Sequence, residues 1–409
     1  MEKQKNSPAL RFAEFTEGWV MKKLGELTDL ITKGTTPTNF VNEGIKFIKI
    51  ECFDGDKINP KKCLFIDDET HNKELKRSIL QEGDILFAIA GATIGKVNIV
   101  TNEILPANTN QALCIVRLRK NENLNFIFQV LKSVKMQKYI VDSISVGAQP
   151  NLNLEQMNNF SFFYPSKAEQ QKIATFFTAI DKKLSGLKEK KNLLEQYKKG
   201  AMQQLFAIAE TDGRPSVRFK NTEGGDFADW EEKNGNEIFE SVSNKNHNSD
   251  SPILAITQEH GAIPRDMIDY QVSVTDKSVE SYKVVEVGDY IISLRSFQGG
   301  IEYSNYKGIC SPAYIILKPF MPIDRRFYKY YFKTEYYIKQ LNRNLEGIRD
   351  GKMISYKYFS EIELPYPSLE EQTQIANFLN ALDEKIQAVS TQMEKMERWK
   401  KGLLQQMFV

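Results

Sequence analysis

Apolar residues recur at alternating spacings of four and three in two long stretches of the chain. In the first stretch the repeating positions are Ile173, Phe177, Ile180, Leu184, Leu187, Lys191, Leu194, Lys198, Ala201 and Leu205. In the second they are Ile375, Leu379, Leu382, Ile386, Val389, Met393, Met396, Lys400, Leu403 and Met407. A repeat of about 3.5 residues is typical of a helix that pairs with another helix along one face. The pattern predicts two long helices with apolar seams, which three lysines interrupt.

The two stretches are copies of one another. Pro165–Phe206 and Pro367–Phe408 align without a gap at a constant offset of 202, and 17 of the 42 aligned positions are identical. This period is far longer than that of a solenoid repeat, so it indicates duplication of a whole domain with its helix and an approximate two-fold axis. Each copy opens with Pro-Ser and has a glutamate three residues after the serine, Glu169 or Glu371, which predicts a reciprocal capping box.

Each predicted helix is too long for one small domain, because about 1.5 Å per residue gives a length of roughly 60 Å. We therefore expect the two seams to face each other in an antiparallel coiled coil, with one globular domain at either end of the rod. In the alternative arrangement, each helix packs only on its own domain.

The stretch that precedes each long helix contains matching apolar landmarks. Leu10-Arg11-Phe12 before Trp19 corresponds to Val217-Arg218-Phe219 before Trp230, Gly83–Leu86 to Gly288–Ile291, and Ala112–Val116 to Ala313–Leu317. Short apolar runs bounded by Gly, Asn and Pro predict strands and turns. A helix rich in aromatic residues and lysine is predicted in each copy, at 125–141 and 325–345. This order of elements predicts an α+β fold for each half.

Between the landmarks the two halves differ. Residues 31–39 read ITKGTTPTN where 242–250 read VSNKNHNSD, and 88–97 read AIAGATIGKV where 293–302 read SLRSFQGGIE. Because binding residues concentrate on loops, one scaffold with two loop sets suggests two recognition surfaces with different targets. The predicted boundaries are 1–165 for the first domain, 166–206 for its long helix, 207–227 for a linker, 228–366 for the second domain and 367–409 for its long helix.

Composition is that of an ordinary globular protein, with 41% hydrophobic and 26% charged residues among 409. No apolar run is long enough to span a membrane and no secretory leader is apparent, and the four cysteines fall singly. We therefore expect a cytoplasmic protein. The net charge of +2 does not by itself indicate a nucleic-acid ligand.

Catalytic motifs are absent from the sequence. The sequence has three histidines, and no two of them have a paired spacing such as H-x-x-x-H, which argues against a histidine metal site or a catalytic triad. Gly91–Lys96, GATIGK, is one residue short of a phosphate-binding loop, and Val97 stands where Ser or Thr would bind magnesium. The acids Glu51, Asp54 and Asp56 beside a lysine could be a nuclease pattern, but a charged hairpin loop is the favoured interpretation.

Two duplicated motifs identify a family resemblance. Each long helix carries P-S-x-x-E-Q-x-x-I-A-x-F-x-x-A-x-D-x-K…K-K-G-x-x-Q-Q-x-F, and each half opens near L/V-R-F…W. With these motifs the chain resembles, over nearly its whole length, the specificity subunit of bacterial type I restriction-modification systems. The resemblance implies two target recognition domains, each reading one part of a bipartite, asymmetric site in double-stranded DNA. It also implies that the helices set the spacing between the two parts of the DNA site and dock methyltransferase subunits. The duplication suggests two methyltransferase subunits per chain. Restriction subunits would join through that complex. The chain itself would be non-catalytic and without cofactors, with S-adenosylmethionine, ATP and magnesium on partner subunits.

Candidate contact residues are polar side chains in corresponding loops, because Arg, Lys, Asn and Gln read base edges or hold phosphates. For DNA they are Lys33, Thr35, Thr36, Lys49, Thr93, Asn110, Gln111, Gln149, Asn151, Lys245, Asn246, Arg295, Gln298, Arg349 and Lys352. For partner docking they are glutamines expected to be exposed at the helix ends, namely Gln170, Gln171, Gln203, Gln204, Gln372, Gln405 and Gln406.

Two other functions remain open at this point. A stand-alone sequence-specific DNA-binding regulator would also lack catalytic motifs, although more positive charge would be expected of it. A coiled-coil scaffold explains the helices and leaves the two divergent halves without a role.

Overall fold

The computed structural model describes residues 7–143, 151–206, 215, 217–247, 250–268, 279–343 and 354–408. The chain divides into two units, which are residues 1–188 with 391–409, and residues 189–390. Each unit therefore contains one globular domain, the first part of the long helix that follows it, and the last turns of the other long helix.

Unit 1 is built on a four-stranded antiparallel sheet in the order β2-β10-β7-β8. Its strands are β1 (Val20–Lys23), β2 (Thr28–Lys33), β3 (Ile45–Ile48), β4 (Phe53–Asp54), β5 (Lys57–Ile58), β6 (Leu64–Ile66), β7 (Ile85–Ala88), β8 (Val97–Ile99), β9 (Ala107–Thr109), β10 (Leu113–Leu118) and β11 (Ser161–Tyr164). A three-stranded sheet, β6-β3-β9, has β3 and β9 parallel. The pairs β1-β11 and β4-β5 complete the strands, and β4-β5 is the charged hairpin expected around Asp54 and Asp56.

Unit 2 repeats the central sheet with the order β13-β20-β17-β18. Its strands are β12 (Glu231–Asn234), β13 (Phe239–Val242), β14 (Leu254–Thr257), β15 (Gly261–Pro264), β16 (Lys283–Val285), β17 (Tyr290–Ile292), β18 (Glu302–Tyr303), β19 (Gly308–Cys310), β20 (Ile315–Pro319) and β21 (Glu363–Tyr366). The remaining pairs are β12-β21, β14-β15 and β16-β19. The two halves thus share the central sheet and the strand pair before each long helix, and differ in the smaller sheets.

The helices are α1 (Leu124–Lys132), α2 (Val134–Ser143), α3 (Leu154–Asn159), α4 (Lys167–Leu205), α5 (Gly235–Ile238), α6 (Ser296–Gly299), α7 (Arg325–Tyr331), α8 (Glu335–Asn342), α9 (Tyr356–Ser360) and α10 (Leu369–Met407). The two long helices, α4 and α10, are confirmed within two residues of their predicted ends. The single helices predicted at 125–141 and 325–345 are wrong, because each is broken, at Ser133 and at Thr334. Thr334 is extended and its hydroxyl accepts a hydrogen bond from Tyr337 N, so it caps a new helix.

Only one half of each predicted capping box forms. The serine hydroxyl accepts a hydrogen bond from the glutamate N–H at 3.4 Å for Ser166 and at 3.3 Å for Ser368. The glutamate side chains do not return to the serines. The buried Glu169 carboxylate instead accepts hydrogen bonds from Arg11, at 2.7 Å to each oxygen, and from Trp19 Nε1 at 3.0 Å.

Unit 2 repeats this arrangement, since Glu371 accepts from Arg218 and from Trp230 Nε1. The duplicated L/V-R-F…W motif therefore fastens the beginning of each domain to the beginning of its long helix. A buried carboxylate needs such partners, because an unpaired charge in the interior is strongly unfavourable.

The long helices pack on their own domains and, within each unit, also on each other, so the alternative in which each helix packs only on its own domain is wrong. In unit 1 the core joins Ile173 and Phe177 of α4 to Leu403 and Met407 of α10. In unit 2 the core joins Leu205 and Phe206 at the end of α4 to Ile375 and Leu379 near the start of α10. The first turns of one helix therefore lie beside the last turns of the other, which confirms the antiparallel pairing.

Two of the three seam lysines form ion pairs between the helices. Lys198 Nζ lies 2.5 Å from Asp383 Oδ1 in unit 2, and Lys400 pairs with Asp181 in unit 1. These pairs are equivalent at the offset of 202. The lysines therefore give the seam a specific polar register, as polar residues at core positions do in coiled coils.

Candidate nucleic-acid interface

One edge of the central sheet in unit 1 gathers most of the residues predicted to contact DNA. Strand β2 ends at Lys33, opposite Cys114, and β7 ends at Ala88, opposite Leu113, where β10 begins. Because neighbouring strands are antiparallel, the loops after β2 and β7 and the loop before β10 emerge together at this edge.

Backbone hydrogen bonds hold these loops to each other. Gly34 N donates to Asn110 O at 3.2 Å, and Ile89 N donates to Ala112 O at 2.9 Å. Gly34 is required here, since a Cβ on it would lie 1.7 Å from the carbonyl oxygen of Thr109. Two further contacts bring in distant segments: Thr109 Oγ1 donates to Ile48 O at 2.9 Å, and Ala90 forms a β-bridge with Asn151.

The structure therefore brings eight of the nine candidates in the first half to one edge. Lys33, Thr35, Thr36, Gln111 and Asn151 are exposed, and Lys49, Thr93 and Asn110 are half-buried. The ninth, Gln149, lies outside the described residues. Thr36 Oγ1 donates to Gln111 Oε1 at 2.7 Å, and Arg77 Nη2 donates to Thr35 Oγ1 at 3.2 Å. Arg77, in a 3-10 turn remote in sequence from these loops, was not found by sequence reasoning.

The equivalent edge in unit 2 presents different side chains. Val242 at the end of β13 and Ile292 at the end of β17 are opposite Ile316 and Ile315 at the start of β20. The exposed Lys245 and Asn246 follow β13, and the exposed Arg295 and Gln298 follow β17 at the short helix α6. The candidates Arg349 and Lys352 lie outside the described residues.

Tyr314, in the loop before β20, marks a cluster of cations in unit 2. Lys283 Nζ donates to Tyr314 O at 2.7 Å. Burial raises the pKa of the Tyr314 hydroxyl, and the charges of Arg265 and Arg295 partly offset that rise. Gln258 Nε2, in the β14-β15 turn, donates to Arg295 O at 3.4 Å. Lys283 therefore contacts the backbone of Tyr314, and Arg265 and Arg295 both act electrostatically on its hydroxyl.

Arg265 adds an unsatisfied donor to the cluster. Its Nη1 is buried and has no hydrogen-bond partner among the described residues, although the side chain as a whole is half-buried. A buried donor without an acceptor is unfavourable, so an incoming phosphate or base oxygen would be stabilised there. No motif in the sequence marks Arg265, Lys283 or Tyr314, and only the pairing of distant strands brings them together.

The glutamines proposed for docking fall into two groups. Gln170 and Gln372 are fully buried, and each donates its Nε2 to the proline carbonyl five residues earlier, at 2.8 Å. The expectation that they are exposed is wrong, because each satisfies a carbonyl at the junction between strand and helix. Gln171, Gln203, Gln204, Gln405 and Gln406 are exposed, as expected.

No group of three or more His, Cys, Asp and Glu in the described ranges could hold a metal ion. Within the same ranges, no helix combines the length and the apolar character that a membrane span requires. His71 is buried and its Nδ1 contacts Asn108 Oδ1. Asn108, on β9, also donates its Nδ2 to Ser78 Oγ at 3.2 Å.

Comparisons with known proteins agree with this architecture. A family model for the type I restriction modification DNA specificity domain matches the chain twice, at residues 16–196 and 217–398. Over 98% of this chain and 95% of the relative, the sequence is 27% identical to a proposed type I restriction enzyme MjaX specificity subunit of Methanocaldococcus jannaschii. It is 24% identical, with the same coverage, to the type I restriction enzyme MjaVIII specificity subunit of that organism.

Solved structures show the same fold. The S subunit of a type I restriction-modification system from M. genitalium aligns over 98% of this chain and 99% of its own, with a TM-score of 0.60 at 17% identity. A chain from a study of complex assembly in the type I R-M system aligns over 96% and 98%, with a TM-score of 0.53 at 18% identity.

Proposed function

Because the chain belongs to the family of type I restriction-modification DNA specificity proteins, we propose that it supplies the sequence specificity of a complex that methylates and cleaves DNA. Each unit reads one part of a bipartite, asymmetric site, and the reactions take place on partner subunits. The observation that carries this proposal is the repeated sheet edge, which has one backbone plan in both units and a different set of polar side chains in each.

The two edges are suited to different bases. In unit 1 the edge offers hydroxyls and amides, such as Thr36, Asn110 and Gln111, and amides pair well with adenine in the major groove. In unit 2 it offers Arg295 and Arg265, and arginine pairs well with guanine or with phosphate. Lysines at both edges hold phosphates and fix the register of the protein on the duplex.

Two docking sites for methyltransferase subunits would follow from the duplicated helices. Tyr197 and Trp399, equivalent at the offset of 202, are 58% and 51% exposed. Each rests against an equivalent phenylalanine, with ring centroids 6.4 Å apart for Tyr197 and Phe378 and 6.1 Å apart for Phe176 and Trp399. Exposed aromatic side chains are enriched where protein partners bind tightly. One methyltransferase copy at each unit, near its exposed glutamines, would give two copies per chain.

The test is methylation by a reconstituted complex. The chain would be co-expressed with its methyltransferase in a host that lacks DNA methylation, and modified adenines mapped by long-read sequencing. We expect a split, asymmetric motif with one modified adenine on each strand. If the complex assembles and no new methylation appears, the proposal fails.

The same assay tests the role of Arg295. In Arg295→Ala we expect one half of the motif to be relaxed or lost, because a good arginine–base contact provides about 1–3 kcal/mol of discrimination. The other half should stay unchanged. Arg326→Ala is the matched control, since Arg326 lies beyond the opposite end of β20 and pairs with Asp324. An unaltered motif in Arg295→Ala would remove Arg295 from the interface.

A further inference from the structure

The short helix α6 and the residue before it carry two candidate DNA contacts of unit 2. These are Arg295 and Gln298, and both side chains are exposed. The other face of α6 points inward, since Ser296 is buried and Phe297 packs on the apolar core of unit 2. A helix of four residues can satisfy few of its own backbone carbonyls. The position of Arg295 and Gln298 therefore depends on the contacts that other elements make with α6.

Asn342, the last residue of α8, holds the middle of α6. Its Nδ2 donates to Phe297 O at 2.6 Å and also to Ile338 O, within α8, at 2.7 Å. One side-chain amide thus uses both of its hydrogens, and the bond within α8 orients the bond to α6. Tyr337 and Leu341 of α8 are fully buried in the core of unit 2. Asn342 therefore connects α6 to a firmly packed helix.

Two further contacts hold the end of α6. Lys333 Nζ donates to Gly299 O at 2.8 Å and lies 2.5 Å from Glu302 Oε1. Gly300 lies so close to the chain after α7 that a Cβ on it would be 2.0 Å from the Phe332 carbonyl oxygen. Since Phe332 and Lys333 lie at the break between α7 and α8, this break and α8 together fasten α6 to the core.

The equivalent loop of unit 1 is held in a different way. In the alignment of 88–97 with 293–302, the loop 89–95 corresponds to 294–300. Ile89 O accepts a hydrogen bond from Leu152 N at 2.8 Å, and Ala90 forms a β-bridge with Asn151. Backbone pairing therefore holds the loop in unit 1, whereas an amide and an ammonium side chain hold it in unit 2.

We propose that Asn342 is a positioning residue for the reading of the second half-site. Its hydrogen bond to Phe297 O fixes α6, so that Arg295 presents its guanidinium to one base pair in a single orientation. An arginine reads a base through two parallel hydrogen bonds from a rigid fork, so a small displacement of the loop would break one of them. The inference rests on the proposed function and adds to it a residue that acts through Arg295.

Removal of the side-chain donor tests this proposal. Asn342→Ala keeps a residue that favours helix and deletes the hydrogen bond to α6. Discrimination is measured with the reconstituted complex, as the ratio of kcat/KM for methylation of the cognate duplex to kcat/KM for a duplex changed at the base pair where Arg295→Ala relaxes the motif. We expect this ratio to fall by about fivefold or more. Discrimination at the first half-site should stay unchanged. Asn342→Asp keeps the size of the side chain without the donor and is the second variant.

Two comparisons separate positioning from a general loss of stability. Gln340→Ala is the matched control, because Gln340 Nε2 donates within α8 to Tyr336 OH, and this change should leave discrimination at both half-sites unchanged. In the Arg295→Ala background, Asn342→Ala should cause no further loss, because residues that act as one unit do not have additive effects. Thermal unfolding of each chain would show which variants remain folded.

The outcomes separate the inference from the proposed function. Unchanged discrimination in both Asn342 variants, or unfolding of both, would overturn the inference. An equal loss from Gln340→Ala would do the same, because the effect would then be one of helix stability. A further loss in the Arg295→Ala background, or an unaltered motif in Arg295→Ala itself, would show that Asn342 does not act through Arg295. If the unaltered complex assembles and methylates nothing, the proposed function itself fails.

Discussion

At the residue scale, a buried aspartate occurs at equivalent positions of the two units but has different hydrogen-bond partners in each. Asp84 in unit 1 accepts two hydrogen bonds from Arg117, at 2.8 and 2.7 Å. Its equivalent in unit 2, Asp289, is fully buried, and its Oδ1 has no hydrogen-bond partner among the described residues. Lys318 stands at the position of Arg117 and makes no ion pair with Asp289 among the described residues. Burial raises the pKa of the Asp289 carboxyl, and the charges of Lys318 and Arg325 offset that rise only in part.

Lys318→Arg should therefore stabilise unit 2. A guanidinium can reach both carboxylate oxygens, and satisfying a buried charged acceptor is worth about 1 kcal/mol or more in the free energy of unfolding. The gain depends on pH. Between the ordinary carboxyl pKa of the unfolded state and the raised pKa of the folded state, Asp289 holds a proton only in the folded state. The free energy of unfolding of the wild type therefore falls as the pH rises through this window.

The arginine should prevent this fall in stability. The gain in the free energy of unfolding should be complete above the raised pKa of Asp289 and should vanish below the ordinary carboxyl pKa. Urea unfolding of both proteins between pH 4 and pH 8 measures this difference. Lys220→Arg, at an exposed ion pair of the same unit, is the control and should change stability by less than about 0.5 kcal/mol. Equal stability of Lys318→Arg and wild type at pH 8 would show that Asp289 is already satisfied.

At the element scale, periodicity predicted the long helices well and the shorter ones poorly. A seam of ten repeating positions fixes both the existence and the register of α4 and α10, so their ends could be predicted closely. The breaks at Ser133 and Thr334 could not, because both residues are tolerated inside helices and the break depends on the domain around it. The partners of the seam lysines also escaped prediction, since Lys198 and Asp383 are 185 residues apart.

Insertion of one helical turn into both long helices should change the spacing of the DNA site. Four residues after Gly186 and four after Ala388, its equivalent at the offset of 202, add about 6 Å to each helix and turn the seam by only about 40°. We expect the two half-sites to stay the same and the spacer to lengthen by about two base pairs, at 3.4 Å each.

Methylation mapping of the reconstituted complex gives both quantities together. A two-residue insertion at the same points is the control. It turns the seam to the opposite side of the helix, at about 100° per residue, and should abolish methylation. Altered half-site bases with an unchanged spacer would contradict the role of the helices in spacing.

At the scale of the whole molecule, sequence reasoning predicted the repeated plan and located part of each candidate interface at a sheet edge. Landmark strands such as β10 and β20 were predictable from apolar runs, and the divergent loops between them identified the sheet edges. The cluster of Arg265, Lys283 and Tyr314 was not predictable, because β14-β15 and β16-β19 are local features of unit 2 without a repeat in unit 1. Differences between the halves carry specificity, and a repeat reveals only what the halves share.

The most direct test of the account is an exchange of recognition domains. A chain in which the second recognition domain is replaced by a second copy of the first, with both long helices kept, would be assembled with the methyltransferase and its methylated motif mapped. If each domain reads one half-site, the motif should become palindromic, with the first half-site present twice in opposite orientation. Retention of the original asymmetric motif, or loss of methylation in a complex that still assembles, would contradict the account.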